Sequence, residues 1–368
     1  MELSNFRNYE NQKIYFHKNV NIIVGNNAQG KTNLIEGLYI MSLGKSFRTA
    51  KDSEMIGFGC NMARVKTVSC RSDRDVTVEI GLVKNKKSLK IDGVRMKKTS
   101  DLLENVYIVV FSPDDLKIVK EEPEKRRRFI DRELCQLKPV YFDSISKYRK
   151  ILAQRNFLLK EEKPDMSMLD IWDEELSGYG ARIIKERAAF IDKLREISSG
   201  IHSDLTENRE NLEIEYESDI DVRDNIKDQK DIFYETLCSG RKKDLIRRNT
   251  GHGPHRDDIR IMVNGVDVRS FGSQGQQRSA ALSLKLAEIK LIFEETGEKP
   301  VLLLDDVLSE LDRVRQRQLI TSFGDIQIFI TTTEVTDELR KQLPDHAIFE
   351  VEKGIVKRVD WSAPVCIF

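Results

Sequence analysis

The chain has 368 residues, of which 33% are charged, and its 61 Lys and Arg residues balance 61 Asp and Glu residues. This length allows two or three domains. The zero net charge excludes a global field that would draw the protein onto nucleic acid or membranes, so any polyanion site must be a local patch. The cysteines are odd in number and lack C-x-x-C spacing, which argues against a disulfide framework or a zinc site and for a reducing cytosol. They are Cys60, Cys70, Cys135, Cys238 and Cys366.

No apolar run approaches the length of a membrane-spanning helix, and the first residues lack the hydrophobic stretch of a signal peptide. We therefore expect a soluble, cytoplasmic protein with no membrane partner.

The first motif follows the apolar strand-like run Val20–Val24 and precedes a helix-like segment at 33–39. It fits the G-x-x-x-x-G-K-[ST] pattern of a P-loop, whose backbone N–H groups and helix N-terminus bind phosphates. In this pattern Lys31 reaches the β- and γ-phosphates and the Thr32 hydroxyl coordinates Mg²⁺. The alternative is a glycine turn that happens to precede a helix. The predicted ATP-binding residues are Gly25, Asn26, Asn27, Ala28, Gln29, Gly30, Lys31 and Thr32.

Short alternating runs at 76–83 and 88–93 predict antiparallel strands after the P-loop unit. The run at 106–111 is continuously apolar, which predicts a strand buried in a parallel sheet. Long charged segments then predict helices at 124–137, 139–159 and 168–199. A strand at 213–222 and a polar loop at 224–231 complete this mostly helical insertion.

Val301–Leu304 is a buried-strand pattern that ends in two carboxylates, Asp305 and Asp306, and resembles a Walker B motif. Asp305 would hold Mg²⁺, while Asp306 would lie where a base orients the attacking water. An ordinary core strand that ends in a polar turn is the alternative.

A Ser/Gly/Gln loop at 270–279 opens into an amphipathic helix at 280–289. Such a junction exposes N–H groups and the positive end of a helix dipole, so it is a candidate second phosphate-binding surface. A polar helix cap is the competing interpretation.

Together these motifs resemble ABC-type ATPases, in which an S-x-G-Q signature precedes Walker B. Ser273, Gly275 and Gln276 match the signature, 309–312 matches the D-loop, and 328–333 matches the strand that leads to the switch position. Two departures weaken the case for fast hydrolysis but not for ATP binding. Asp306 replaces the usual catalytic glutamate, and a threonine run replaces the switch histidine.

Within that superfamily, six motifs in order resemble the bacterial RecF family of SMC-like proteins over nearly the whole chain. They lie at 3–9, 45–48, 111–116, 126–131, 253–258 and 303–312.

The resemblance implies an α/β fold: an ABC-type ATPase head with a mixed sheet, an antiparallel sheet and an inserted, mainly helical second lobe. The predicted segments are 1–112 for the N-terminal part of the ATPase lobe, 113–245 for the helical lobe and 246–368 for the C-terminal part with the signature, Walker B and D-loop. Prolines and the lack of sustained heptads exclude a long coiled coil.

The resemblance also implies an ATP-dependent DNA clamp in recombinational repair of single-stranded gaps, which assists RecA loading through RecO and RecR. ATP and Mg²⁺ are the implied cofactors, with the ATP-driven homodimer completing each site in trans through the signature residues. Lys31 and Asp306 are the catalytic candidates of a slow ATPase, Thr32 and Asp305 the metal ligands, and Arg7 a candidate phosphate contact. The alternative is an ABC-type ATPase that drives a separate nuclease or transport partner.

The sequence contains no base-reading motif. Any DNA binding must therefore recognise the backbone or the shape of a single/double-strand junction or of a duplex. Local basic clusters are the candidates, although acidic neighbours such as Glu124 also allow a solvated face of ion pairs. The candidates are Lys86, Lys87, Arg126, Arg127, Arg128, Lys242 and Lys243.

Overall fold

The computed structural model describes residues 1–71, 74–84, 86–321, 325–343 and 345–359, and Cys366 lies outside them. The chain forms two compact units. The first contains Met1–Leu116 and the described residues from Glu288 onward, and the second is Lys117–Ala287. The second unit includes 246–287, which the sequence predicts as part of the ATPase lobe, because Asp258–Val263 pairs with Leu212–Glu217. The sequence-based segment boundaries stay predictions.

The fold is α/β, as expected from the sequence. Numbered in chain order, the strands of the described residues are β1 Glu2–Phe6, β2 Tyr9–Lys13, β3 Val20–Val24, β4 Met62–Cys70, β5 Asp75–Val83, β6 Lys86–Ile91, β7 Val94–Met96, β8 Ile108–Phe111, β9 Leu212–Glu217, β10 Asp258–Val263, β11 Val266–Asp267, β12 Val301–Asp305, β13 Ile328–Thr332, β14 His346–Glu352 and β15 Ile355–Arg358. The α-helices are α1 Lys31–Leu43, α2 Pro123–Leu137, α3 Pro139–Leu158, α4 Met166–Leu205, α5 Ile226–Arg247, α6 Val268–Phe271, α7 Gln274–Thr296, α8 Arg313–Thr321 and α9 Asp337–Gln342.

The first unit contains an antiparallel sheet with the strand order β2-β1-β4-β5-β6-β7. Its alternating sequence follows from its one buried face, since side chains along a strand point to opposite sides. In β5, for example, Val76, Val78 and Ile80 are fully buried, whereas the residues between them are partly exposed.

The second sheet of this unit has the order β15-β14-β3-β13-β12-β8, in which β14, β3, β13, β12 and β8 run parallel. The continuously apolar run before Ser112 forms β8 at its edge, fully buried as predicted. Parallel strands bring their carboxyl ends to one edge of a sheet. Asp305 pairs with Thr331, and Thr332 pairs with Val24, so the end of β12 lies two strands from the start of the P-loop.

The second unit combines the long helices α3, α4 and α5 with an antiparallel sheet of the order β11-β10-β9. The predicted loop at 224–231 is wrong from Ile226 onward, because α5 already begins there. The Asn225 side chain caps the helix by accepting a hydrogen bond from the Lys227 N–H, so the polar composition marks a helix start. Among the helices of the described residues, none is long and apolar enough to cross a bilayer.

Candidate nucleotide site and nucleic-acid surface

The P-loop connects β3 to α1 through backbone conformations that favour glycine. Gly30 has φ 122° and directly precedes the helix, and Ala28 also has a positive φ of 64°. A Cβ on Gly25 would lie 2.4 Å from the Val351 carbonyl oxygen, so a side chain there would displace β14. The glycines are therefore required both by conformation and by close packing.

Two neighbouring turns hold this loop through hydrogen bonds to its backbone. From the β1–β2 turn, the Asn8 amide donates to the Gln29 carbonyl oxygen at 2.8 Å. The Tyr9 hydroxyl donates to the Gly30 carbonyl oxygen at 2.9 Å. From the β14–β15 turn, the Lys353 N–H donates to the Gln29 side chain at 2.7 Å. The loop is thus preformed, and its exposed residues Asn26, Asn27 and Ala28 stand at its outer edge.

Lys31 is the first residue of α1, and its side chain folds back under the loop. The ammonium donates to the carbonyl oxygens of Gly25 at 2.5 Å and Asn26 at 3.0 Å. Burial lowers the pKa of Lys31, and the nearby carboxylates of Asp306 and Asp305 oppose this shift. The cation is therefore pre-oriented beside the helix N-terminus, where an anion would be stabilised.

Thr32 and Asp305 meet at the shared edge of the parallel sheet. The Thr32 hydroxyl donates to Asp305 Oδ1 at 3.0 Å, although many residues separate them in sequence. A second hydroxyl, that of Thr331 on β13, also donates to Asp305 Oδ1 at 3.0 Å. Burial nevertheless raises the pKa of Asp305. Sequence reasoning placed Thr331 in the strand and threonine run at the switch position and did not predict its hydrogen bond to Asp305.

Asp306 follows β12 in a left-handed conformation with φ 56°. Its N–H donates to the Thr331 hydroxyl at 2.8 Å, and its carbonyl oxygen accepts from the Ser309 hydroxyl at 2.8 Å. Both bonds use the backbone. The turn is therefore fixed, and the charge of Asp306, which directly follows Asp305, opposes the lowering of the Lys31 pKa.

Arg7 forms an ion pair within this unit. Its guanidinium donates two hydrogen bonds to Glu36, at 2.7 and 2.6 Å, and a third to the Glu54 carbonyl oxygen at 2.6 Å. Glu36 lies on α1 with a fully buried side chain and also accepts a hydrogen bond from Ser46. Sequence reasoning did not single out Glu36. The role of Arg7 as a phosphate contact stays a prediction, and such a contact would require its guanidinium to share or leave Glu36.

The signature segment begins α7 rather than forming an extended loop. Ser273 and Gln276 form a capping box, in which the Gln276 N–H donates to the Ser273 hydroxyl at 3.2 Å. In return, the Ser273 N–H donates to the Gln276 side chain at 3.0 Å. The segment predicted as a loop at 270–279 is therefore helical from Gln274 onward, and its first two residues belong to α6. Ser273 is exposed and Gly275 is half-buried, so the first turn of a long helix is presented at the surface.

The basic clusters differ in whether their cations already form hydrogen bonds or ion pairs within the protein. Lys86 is exposed, whereas Lys87 donates to the Gly44 carbonyl oxygen and pairs with Asp52. Arg127 donates to the Asp257 carbonyl oxygen at 2.6 Å. Arg128 is exposed and pairs with Glu124 one helical turn away. Lys242 and Lys243 are exposed on α5.

Arg126 is a structural residue of the second unit, because its side chain is only 3% exposed and binds Asp258 through two hydrogen bonds of 2.7 Å. We expect Arg126→Ala to lower the free energy of unfolding by about 3 kcal/mol, since it leaves a largely buried carboxylate without its partner. Chemical denaturation followed by circular dichroism measures this change. Arg128→Ala is the matched control and should change stability by less than about 0.5 kcal/mol. Equal losses for both variants would contradict the assignment.

The chain is similar to known proteins over nearly its whole length. The family model "RecF/RecN/SMC N terminal domain" matches residues 1–355. The chain is 46% identical over 98% of its length to the DNA replication and repair protein RecF of Agathobacter rectalis, and 45% identical over 96% to that of Alkaliphilus oremlandii, in each case spanning 98% of the relative.

Two solved structures are similar over 98% of this chain at 38% identity. One is the recombination mediator protein RecF-ATPrS in the RecFOR pathway, with a TM-score of 0.91 over 97% of that chain. The other is RecF-ATP in the same pathway, with a TM-score of 0.89 over 96% of that chain. The sequence similarity to RecF proteins over nearly the whole chain, the fold and the family model all agree. The chain therefore belongs to the RecF family.

Proposed function

We propose that this chain is a cytoplasmic, ATP-switched DNA clamp that acts in recombinational repair of single-stranded gaps and stalled replication. The observation that carries the proposal is the convergence of Thr32 and Asp305, 3.0 Å apart, beside a preformed P-loop. This arrangement suits a nucleoside triphosphate and a divalent cation. One of the two similar RecF structures is RecF-ATP and the other is RecF-ATPrS, and the relatives are named as DNA replication and repair proteins.

Mg²⁺ fits the oxygen donors at this edge, because it is usually held by one or two carboxylates together with phosphate oxygens. The Thr32 hydroxyl and the Asp305 carboxylate would hold it, and the bound ion would neutralise charge on the phosphates. Thr331 keeps Asp305 Oδ1 in place by its 3.0 Å hydrogen bond. The P-loop N–H groups and Lys31 would bind the β- and γ-phosphates, which Lys31 reaches by exchanging its bonds to carbonyl oxygens for bonds to phosphate.

Asp306 is the candidate that orients the attacking water. An aspartate is one methylene shorter than the glutamate of faster ABC-type enzymes, so its carboxylate reaches less far from the fixed turn. Slow hydrolysis suits a switch, because the ATP-bound state then persists long enough to hold DNA.

In this proposal two subunits assemble around ATP, and Ser273, Gly275 and Gln276 of each subunit complete the other subunit's site. A surface-exposed helix N-terminus with a serine hydroxyl supports this role, since it offers that hydroxyl and a positive dipole end to a γ-phosphate. RecR, and indirectly RecO and RecA, are the proposed protein partners.

DNA would be held through its phosphate backbone without sequence specificity. Lys86 and Arg128 are the members of their clusters that are exposed and could exchange water or a weak surface pair for phosphate. Arg126 and Lys87 are already engaged in ion pairs within their units. Lys242 and Lys243 are exposed on α5, where the exposed Ile246 follows them.

Sedimentation of the purified protein tests the proposal directly. The measurement uses no nucleotide, ADP, ATP and a non-hydrolysable analogue, each with and without gapped DNA. A clamp should dimerise and retain gapped DNA with ATP or the analogue, without any membrane or nuclease subunit. Retention that is the same with ADP and ATP would contradict the switch.

The carboxylate pair gives a prediction with two separable outcomes. Asp305→Asn removes the charge of the metal ligand, so we expect ATP binding in Mg²⁺ to weaken about tenfold or more. Asp306→Asn should leave ATP affinity within about twofold, slow hydrolysis about a hundredfold and accumulate the ATP-bound dimer. Nucleotide binding and sedimentation distinguish the two. An Asp306→Asn protein that binds ATP yet stays monomeric would contradict this division of roles.

The DNA contacts predict a change in salt dependence. Lys86→Ala and Arg128→Ala should each weaken DNA binding, and for either variant the loss should be the same for unrelated DNA sequences. Each should reduce the slope of the logarithm of the DNA-binding constant against log salt by roughly one unit per lost phosphate contact. Lys18→Ala, an exposed lysine outside the clusters, is the control. An unchanged slope would remove that residue from the DNA surface.

A further inference from the structure

One end of the helical bundle exposes large apolar side chains to solvent. Phe157 on α3 is 68% exposed, Ile171 on α4 is 51% exposed and Ile246 on α5 is 83% exposed. Met166 and Met168, in the first turn of α4, are exposed as well. Clustered apolar side chains at a surface with charged neighbours are typical of an interaction site, whereas single exposed ones are ordinary.

These side chains belong to one continuous surface because the helices that carry them end together. Leu245 of α5 packs against Leu158, Leu159 and Leu169, which join the end of α3 to the start of α4. Just beyond α5, the Thr250 N–H donates to the Asn156 side chain at 2.7 Å. We name this end of the bundle, residues 156–172 and 242–250, the lobe tip.

The lobe tip also carries a cluster of cations. Lys242, Lys243, Arg247 and Arg248 are all exposed, and among the residues that the structure describes none of the four has an ion-pair partner. Helical spacing sets Lys242 one turn from Ile246 and Lys243 one turn from Arg247, so these residues form one outward face. The segment that connects α3 to α4, residues 159–165, carries two lysines, two glutamates and Asp165, which caps α4, so its net charge is only one negative unit against these four cations.

We propose that the lobe tip docks an acidic, amphipathic segment of a partner protein. Such a segment would lay apolar side chains on Phe157 and Ile246 and place its carboxylates beside the four cations. A DNA backbone would match the cations but would leave the apolar side chains without a counterpart. A second copy that met this surface about a two-fold axis would bring cations against cations.

The test uses a fluorescein-labelled synthetic helix of about 16 residues, which makes roughly four turns, with leucines on one face and glutamates on the other. A scrambled peptide of the same composition has no apolar face. Binding to the full-length protein is followed by fluorescence anisotropy without nucleotide or DNA, so the outcome is independent of the proposed clamp. We expect the amphipathic peptide to bind about tenfold more tightly than the scrambled one.

Three lobe-tip variants should each weaken binding of the amphipathic peptide by about tenfold: Ile246→Ser, Phe157→Ser and Lys243→Glu. Two matched controls lie at the far ends of the same helices: Val140→Ser at the start of α3 and Lys227→Glu at the start of α5, both exposed. These controls should bind normally. All the substituted side chains are exposed, so each variant should keep its unfolding temperature.

Three results would overturn the proposal. Equal binding of the two peptides would reduce the lobe tip to a simple cationic surface. Normal peptide binding by the lobe-tip variants, with a parallel loss of binding to a labelled DNA duplex, would assign the surface to nucleic acid. Nucleotide-free dimers that dissociate in Ile246→Ser would assign it to a second copy of this chain.

Discussion

Lys31→Arg is expected to reduce ATP turnover by about a hundredfold and to abolish ATP-dependent retention on gapped DNA. The Lys31 ammonium donates to the carbonyl oxygens of Gly25 and Asn26 at 2.5 and 3.0 Å, both within the P-loop. A guanidinium keeps the charge but is planar, longer and unable to occupy the same point between two phosphates. The loss therefore arises from geometry rather than from charge.

Turnover is measured by phosphate release and DNA retention by sedimentation. Lys18→Arg is the matched control, because Lys18 is exposed and lies in the segment just before β3. The control should hydrolyse ATP normally, and both proteins should unfold at the same temperature. A Lys31→Arg protein with normal turnover would show that the loop does not bind the phosphates of ATP.

The P-loop and Walker B strand could be predicted from the sequence because local rules dictate both. A continuously apolar run forms a strand that is buried on both faces, and a glycine pattern before a helix specifies the phosphate-binding turn. The strands β3, β8 and β13 lie within the predicted segments, and β12 extends one residue beyond its segment, to Asp305. Their adjacency at one sheet edge follows from parallel pairing, and it joins Thr32 to Asp305.

The supporting contacts could not be predicted, because each joins residues that are distant in sequence and ordinary in type. Thr331 binds Asp305 from the neighbouring strand, and Glu36 binds Arg7 from a helix that begins at the P-loop. Nothing in a threonine run or in a single glutamate on a helix indicates these partners. The ion pair of Arg126 could not be predicted for the same reason, since the carboxylate that pairs with it lies on β10.

The motif at 253–258 has a structural role that its sequence did not reveal. In the second unit, the buried Arg187 donates to the Pro254 carbonyl oxygen at 2.6 Å and to Asp257 at 2.8 Å. It also pairs with Asp131 at 2.8 Å. Because the guanidinium is only 2% exposed, each of these acceptors compensates its removal from water. The motif therefore fixes the turn before β10 to α2 and α4.

Ser273→Asp is expected to abolish ATP-dependent dimerisation while ATP still binds the monomer. Ser273 caps α7, and aspartate is an equally good N-cap, so the substitution should preserve the helix start. It places a carboxylate where the proposal puts the γ-phosphate of the other subunit's ATP, and the two anions repel. Ser273→Asn is the isosteric control without the charge and should keep a measurable fraction of the dimer. Analytical ultracentrifugation with ATP and Mg²⁺ measures both.

Mixing two inactive variants tests whether the site is completed in trans. In a heterodimer of Ser273→Asp and Lys31→Met subunits, one composite site combines an intact P-loop with an intact signature segment, and the other combines both defects. We expect the mixture to regain up to about half of the normal turnover per heterodimer, because one of two sites is restored. Each variant alone should stay inactive. A site built within one subunit cannot be repaired by mixing, because every chain then carries its own defect. Normal ATP-dependent dimerisation of Ser273→Asp alone would contradict the trans arrangement directly, since its carboxylate would then face no phosphate.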